Sequence, residues 1–194
     1  MRFPSIMGLV AICLGLASLV FRAHSVDPFR GFASGQQVRE AKGFRIYYAP
    51  WQNLEQIDAQ AIATSRCNHL DLAAYSLTDW KVAEAIVQIA QSGRPVRIYR
   101  DREQYEEELR RGNKVLEMLR RPNISIKVKQ SAVLMHQKAW SDGCLLREGS
   151  ANFSPSGEKQ QDNTLAITDD PQSVKQFEQV FQAMWSRADN IVVQ

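Results

Sequence analysis

Between Phe44 and Trp185 the chain alternates two hydrophobic rhythms: short apolar runs, and longer stretches in which apolar residues return every three or four positions. Phe44 to Pro50 (FRIYYAP) predicts a strand closed by its proline, and Leu54 to Ser65 predicts a helix with Leu54, Ile57, Ala61 and Ile62 on one side. His69 to Leu77 (HLDLAAYSL) predicts a second strand. The helix after it, capped by Thr78 or Asp79, runs to about Ser92, buries Val82, Ala85, Ile86 and Ile89, and ends at Gly93. The cycle repeats with a strand over Pro95 to Asp101, a charged helix from Glu103 to Arg120, and a strand over Ile124 to Lys129. Asn163 to Thr168 (NTLAIT) predicts another strand. The last helix has Asp170 as its cap, Pro171 at its first position, and Val174, Phe177, Phe181, Met184 and Trp185 facing inward. Strands and helices in this alternation predict an α/β/α sandwich on a mostly parallel mixed sheet.

The segments ahead of this domain follow other patterns. Ile6 to Phe21 is almost wholly apolar, Arg2 precedes it, and Ala23-His24-Ser25 offers small residues at the spacing a signal peptidase reads. Residues 1–25 therefore read as a secretory signal cleaved after Ser25, which would make the product periplasmic or secreted. The alternative is an uncleaved anchor that attaches the chain to a membrane through residues 6–21, a run slightly short of the ~20 residues that span a bilayer. Residues 26–43 contain Pro28 and three glycines without steady periodicity and read as a linker or arm, so the folded domain is expected over 44–194.

Charge changes this picture little. Lys and Arg number 24 against 21 Asp and Glu, and loss of Arg2 and Arg22 with residues 1–25 leaves 22 against 21. Net charge is thus no argument for a polyanionic partner. Clustering is more suggestive: Arg94, Arg97, Arg100 and Arg102 are followed by Arg110, Arg111, Lys114, Arg120, Arg121, Lys127 and Lys129. Cys67 and Cys144 would remain after cleavage; an oxidising compartment permits them to pair, and neither has a second Cys or a His at metal-ligand spacing.

The candidate chemistry lies in Met135 to Ser154 (MHQKAWSDGCLLREGSANFS). On an extended strand His136 and Lys138 point the same way, which puts an imidazole and a fixed positive charge in one patch. Gly149-Ser150-Ala151-Asn152 adds a backbone that can approach a ligand closely, a hydroxyl and a carboxamide. Imidazole, ammonium, hydroxyl and amide are the parts needed to bind and attack a phosphate ester. Taken singly, each residue is better explained as a hydrogen-bonded strand residue or a turn; the constellation is what points to a site. Trp140 can stack a base or pack, and packing is the better account of it.

"HQK", "D" and "GSANFS" resemble the HxK…D…GSxN signature of the phospholipase D superfamily. "YYAP", "AAYSLTD", "RPVRIYRD", "QDN" and "F…MWSR", in that order, are similar to its small bacterial Nuc-type endonuclease branch, so that the resemblance covers nearly all of 44–194. It implies a phospholipase D-like domain that dimerises to join two motifs in one active site, works without a cofactor or metal, and hydrolyses nucleic acid, with DNA as the expected substrate and RNA left open. It further implies that His136 is the nucleophile, with the partner's His136 as the acid. Lys138, Ser150 and Asn152 would hold the phosphate oxygens, and Asp162 would orient the imidazole, with Glu158 as a substitute. A lipid phosphodiesterase using the same residues is the alternative, and a silent nucleic-acid-binding homologue is a third reading. One departure stands out: three residues separate Lys138 from Asp142, where the family usually has four. A turn that moves while the second strand stays in place would absorb the change, with Asp142 as a turn and packing residue.

Overall fold

The structure is a computed structural model and describes residues 43–194. The expected signal or anchor over 1–25 and, apart from Gly43, the arm over 26–43 lie outside the described residues.

Eight strands form one sheet: β1 (Phe44–Ala49), β2 (Leu70–Ala74), β3 (Val96–Arg100), β4 (Ile124–Val128), β5 (Lys138–Ser141), β6 (Leu146–Gly149), β7 (Asn163–Thr168) and β8 (Ile191–Val192). Their order across the sheet is β1-β7-β6-β5-β2-β3-β4-β8. The helices are α1 (Leu54–Ala63), α2 (Trp80–Gln91), α3 (Arg102–Arg110), α4 (Lys114–Met118), α5 (Pro155–Lys159) and α6 (Pro171–Trp185). One core layer lies between the sheet and α1, α2 and α4, filled by residues such as Leu54, Ile62, Val82, Ile86, Ile98, Trp140 and Ile167. On the other face α6 packs Val174, Phe177, Phe181 and Met184 against Ala73, Tyr99, Ala139 and Leu146. The sandwich is therefore α/β/α as the alternation predicts.

The sheet is less parallel than the sequence implies. Only β2, β3 and β4 run parallel to one another; every other pairing is antiparallel. The reason is topological: parallel neighbours need a crossover, which α2 and α3–α4 supply, whereas β5 and β6 are joined by a tight turn that permits only antiparallel pairing. The helix expected over 103–120 is also broken. Gly112 sits at φ +67°, a left-handed conformation that ends α3, and Asn113 restarts the chain as the cap of α4, accepting from the Val115 amide at 3.0 Å.

Cys67, in the approach to β2, is disulfide-bonded to Cys144 in the β5–β6 turn. Beside it the hairpin closes on Asp142, whose Oδ1 accepts from the amides of Cys144 and Leu145, both at 2.8 Å. Gly143 takes φ +92° to complete the turn. Trp140 stands opposite Arg147 and Ser141 opposite Leu146, so residues 142–145 form the connection between β5 and β6.

Candidate active site

The parallel strands β2, β3 and β4 end at one rim of the sheet, and the motif residues gather there because β5 enters the sheet, and β6 leaves it, at that same rim. His136 lies in the extended segment just before β5 and is exposed; Lys138 is the first residue of β5 and is buried. The segment is pinned on both sides of the imidazole. The Tyr75 amide donates to the Gln137 carbonyl at 3.0 Å, and the Met135 amide donates to Asp101 Oδ2 at 3.0 Å.

His136 and Lys138 are brought together over one ring. The Tyr75 ring meets the imidazole edge-on with centroids 4.6 Å apart, and Lys138 Nζ lies 5.0 Å from the Tyr75 centroid. Lys138 Nζ donates to the His136 carbonyl at 2.6 Å, which ties the cation to the backbone of the imidazole. Burial first, and the nearby Arg147 guanidinium second, hold the Lys138 ammonium down to about 8.

Gly149 is required by packing. A Cβ there would meet the Thr164 carbonyl oxygen at 2.2 Å, a distance that no side chain tolerates. This close approach lets the amides of Ser150 and Ala151 both donate to that carbonyl, at 3.1 and 3.2 Å. Ser150 Oγ then donates to Asn163 Oδ1 and accepts from the Thr164 amide, each at 2.9 Å. Asn152 borders a polar cleft of about 420 Å³ together with Tyr75, Ser76, Gln104 and Asn113. Its Oδ1 is buried without a hydrogen-bond partner. Gly157 keeps α5 close, since a Cβ there would come within 2.7 Å of the Asn152 carbonyl oxygen.

Asp162 is exposed in the bend before β7, next to Asn163, which receives the Ser150 hydroxyl. Glu158 is buried on α5, with its Oε1 3.7 Å from Arg147 Nη2. Burial first and the Asp58 carboxylate second push it up to about 11. Trp140 packs rather than stacks: it is fully buried and donates from Nε1 to Asp58 at 2.8 Å.

Part of the basic cluster is engaged within the fold: Arg100 is buried in a 2.8 Å ion pair with Glu108, Arg97 is paired with Asp71 at 2.6 Å, and Lys127 donates to the Trp185 carbonyl at 3.0 Å. An apolar tip stands beside the motif: Val133 and Leu134, just ahead of His136, are 71% and 54% exposed. The Lys129 ammonium, which donates to the Val133 carbonyl, props this tip. Asp101, Tyr75 and Arg147 are not among the residues of the HxK…D…GSxN signature; only Asp101, a polar residue where a strand gives way to a helix, carries a local signal.

Residues 59–185 match the family described as cardiolipin synthase, PLD-like domain. A mitochondrial cardiolipin hydrolase from Danio rerio is 29% identical over 122 residues, which is 62% of this chain and 52% of that one. The Chlamydomonas reinhardtii mitochondrial cardiolipin hydrolase is 25% identical over 117 residues, 60% of this chain and 51% of the other. The chain thus spans about half the length of these curated relatives. Among solved structures, NucT from Helicobacter pylori superposes with a TM-score of 0.65 at 23% identity, over 77% of this chain and 98% of that one. The phospholipase D family member Nuc from Salmonella typhimurium gives a TM-score of 0.66 at 18% identity, over 78% and 97%. With a family match running through well over half of its length, and the fold of both Nuc proteins, the chain belongs to the phospholipase D-like family.

Proposed function

We propose that the protein is a metal-independent phosphodiesterase that cleaves nucleic acid with little sequence preference, and that it works as a homodimer with two copies of His136 in one site. The observation that carries this reading is the packing of His136 and Lys138 on the Tyr75 ring, at the rim where Ser150 and Asn152 are also held. In the first step His136 of one copy attacks phosphorus, an N–P bond forms, and the P–O bond to the leaving group breaks. The other copy's His136 gives that oxygen its proton. In the second step the same imidazole takes a proton from water, whose oxygen attacks phosphorus and releases the first His136. Lys138, Ser150 and Asn152 bind the non-bridging oxygens and offset the charge that builds in each transition state, while Asp162 orients the imidazole.

The exposed Val133 and Leu134 beside His136, with cardiolipin hydrolases among the relatives, favour a lipid phosphodiester as the second reading. One experiment separates the two. The purified protein and its His136→Ala variant are incubated in excess chelator with supercoiled plasmid or with cardiolipin vesicles. Nicking that survives the chelator and is lost in the variant is the expected result. Release of phosphatidic acid with intact plasmid would shift the substrate to lipid, and binding of DNA without cleavage would make the protein a silent binder.

A further inference from the structure

Beneath the motif lies a buried cation that the reaction does not use directly. Arg147 on β6 is fully buried, and its guanidinium reaches in three directions. Nη1 donates to the Lys138 carbonyl at 2.5 Å, and Nη2 donates to the Ala151 carbonyl at 3.2 Å. Nε and Nη2 lie 2.9 and 2.7 Å from Asp58 Oδ2 on α1. The Phe153 ring closes the site, its centroid 4.4 Å from Cζ.

Stability alone is a poor account of this arrangement. A buried ion pair recovers little more than its desolvation cost, and apolar residues of the same volume would often serve a core as well or better. The placement of the two carbonyls is more telling. The β5–β6 ladder consists of Trp140 opposite Arg147 and Ser141 opposite Leu146, so the hairpin opens before it reaches the motif. Arg147 occupies that opening, and the carbonyls it takes are those of Lys138 in HxK and Ala151 in GSxN. A rigid, planar group with five donors can satisfy a carboxylate and two carbonyls at once, which lysine cannot.

We infer that Arg147, anchored by Asp58, is a positioning residue that ties the Lys138 and Ser150–Asn152 segments into one phosphate cradle. The inference rests on the proposed phosphodiesterase reading of this site. Its charge has a second effect, since Arg147 helps to keep the Lys138 ammonium near 8.

The test compares the full-length wild type with Arg147→Lys, which keeps the charge and loses the fork, and with Arg147→Gln combined with Asp58→Asn, which leaves no buried charge unpaired. Hydrolysis of bis(p-nitrophenyl) phosphate is followed against pH, and hydrogen exchange is measured over residues 136–139 and 149–152. The expected result is a kcat lowered about 10- to 100-fold in both variants with little change in KM, the loss that small misplacement of catalytic groups produces. Exchange is expected to quicken in both segments. The alkaline limb is expected to move up in the neutral pair and to stay in place in Arg147→Lys. Wild-type turnover and exchange in folded Arg147→Lys would overturn the inference, whether or not the double variant folds. An inert wild type with loosened segments in the variants would sink the phosphodiesterase reading and leave the tie standing.

Discussion

Lys138 is the residue on which local physics and proposed chemistry meet most directly. A lysine in water titrates near 10.5, but here burial and Arg147 bring it to about 8. Phosphate binding needs the ammonium, and the fraction present falls as pH rises through 8, so kcat/KM is expected to decline above about pH 8. A profile that stays flat to pH 10 would show that Lys138 is not the required cation. A bound phosphate favours the charged form, so the limb in kcat should lie at higher pH than the limb in kcat/KM. At this scale the sequence is legible where spacing is local: His136, Lys138, Gly149, Ser150 and Asn152 form a short, ordered pattern. Arg147 and Asp58 are invisible for the opposite reason, because they lie 89 positions apart and an ion pair across that distance has no local signature.

At the scale of elements, the helices and strands with a full apolar face are where the sequence puts them. β7 and α6 match their predicted bounds, and Asp79 caps α2 through the Lys81 and Val82 amides at 2.9 and 3.1 Å. The short elements α5 and β8 escape because five and two residues are too few to show a period. The cap has a pH signature. Burial first, and then the neighbouring Glu55 carboxylate, raise Asp79 from 3.8 to about 6, against the opposing pull of the Val82 amide. A folded state that holds this proton more tightly than the unfolded chain loses stability as pH climbs from about 4 to about 6, and the loss is complete above that window. Asp79→Asn keeps the cap and removes the charge, so its melting temperature at pH 7.5 should equal or exceed the wild-type value. Asp79→Ala should be less stable than Asp79→Asn by about 1 kcal/mol, the usual worth of a cap. A melt of Asp79→Asn well below wild type would show that the carboxylate is favourable as a charge.

For the folded domain as a unit, the disulfide is the feature that sequence leaves open and structure decides. Two cysteines 77 positions apart say nothing about geometry until β5, β6 and the approach to β2 are assembled. The bond holds the β5–β6 turn, at the end of the hairpin away from the motif. Replacing both Cys67 and Cys144 by Ser should cost about 2–4 kcal/mol and lower the melting temperature by roughly 5–15 °C, with kcat nearly unchanged at a temperature where the variant is folded. A large loss of kcat there would mean that the hairpin carries strain through to the site.

The central claim is that two displacements at phosphorus pass through a phosphohistidine. It is tested most directly by the stereochemistry of hydrolysis of a chiral phosphorothioate diester in ¹⁸O-labelled water. Two in-line displacements, by His136 and then by water, predict net retention of configuration at phosphorus. Inversion would mean that water attacks in a single step and that His136 is a base rather than a nucleophile.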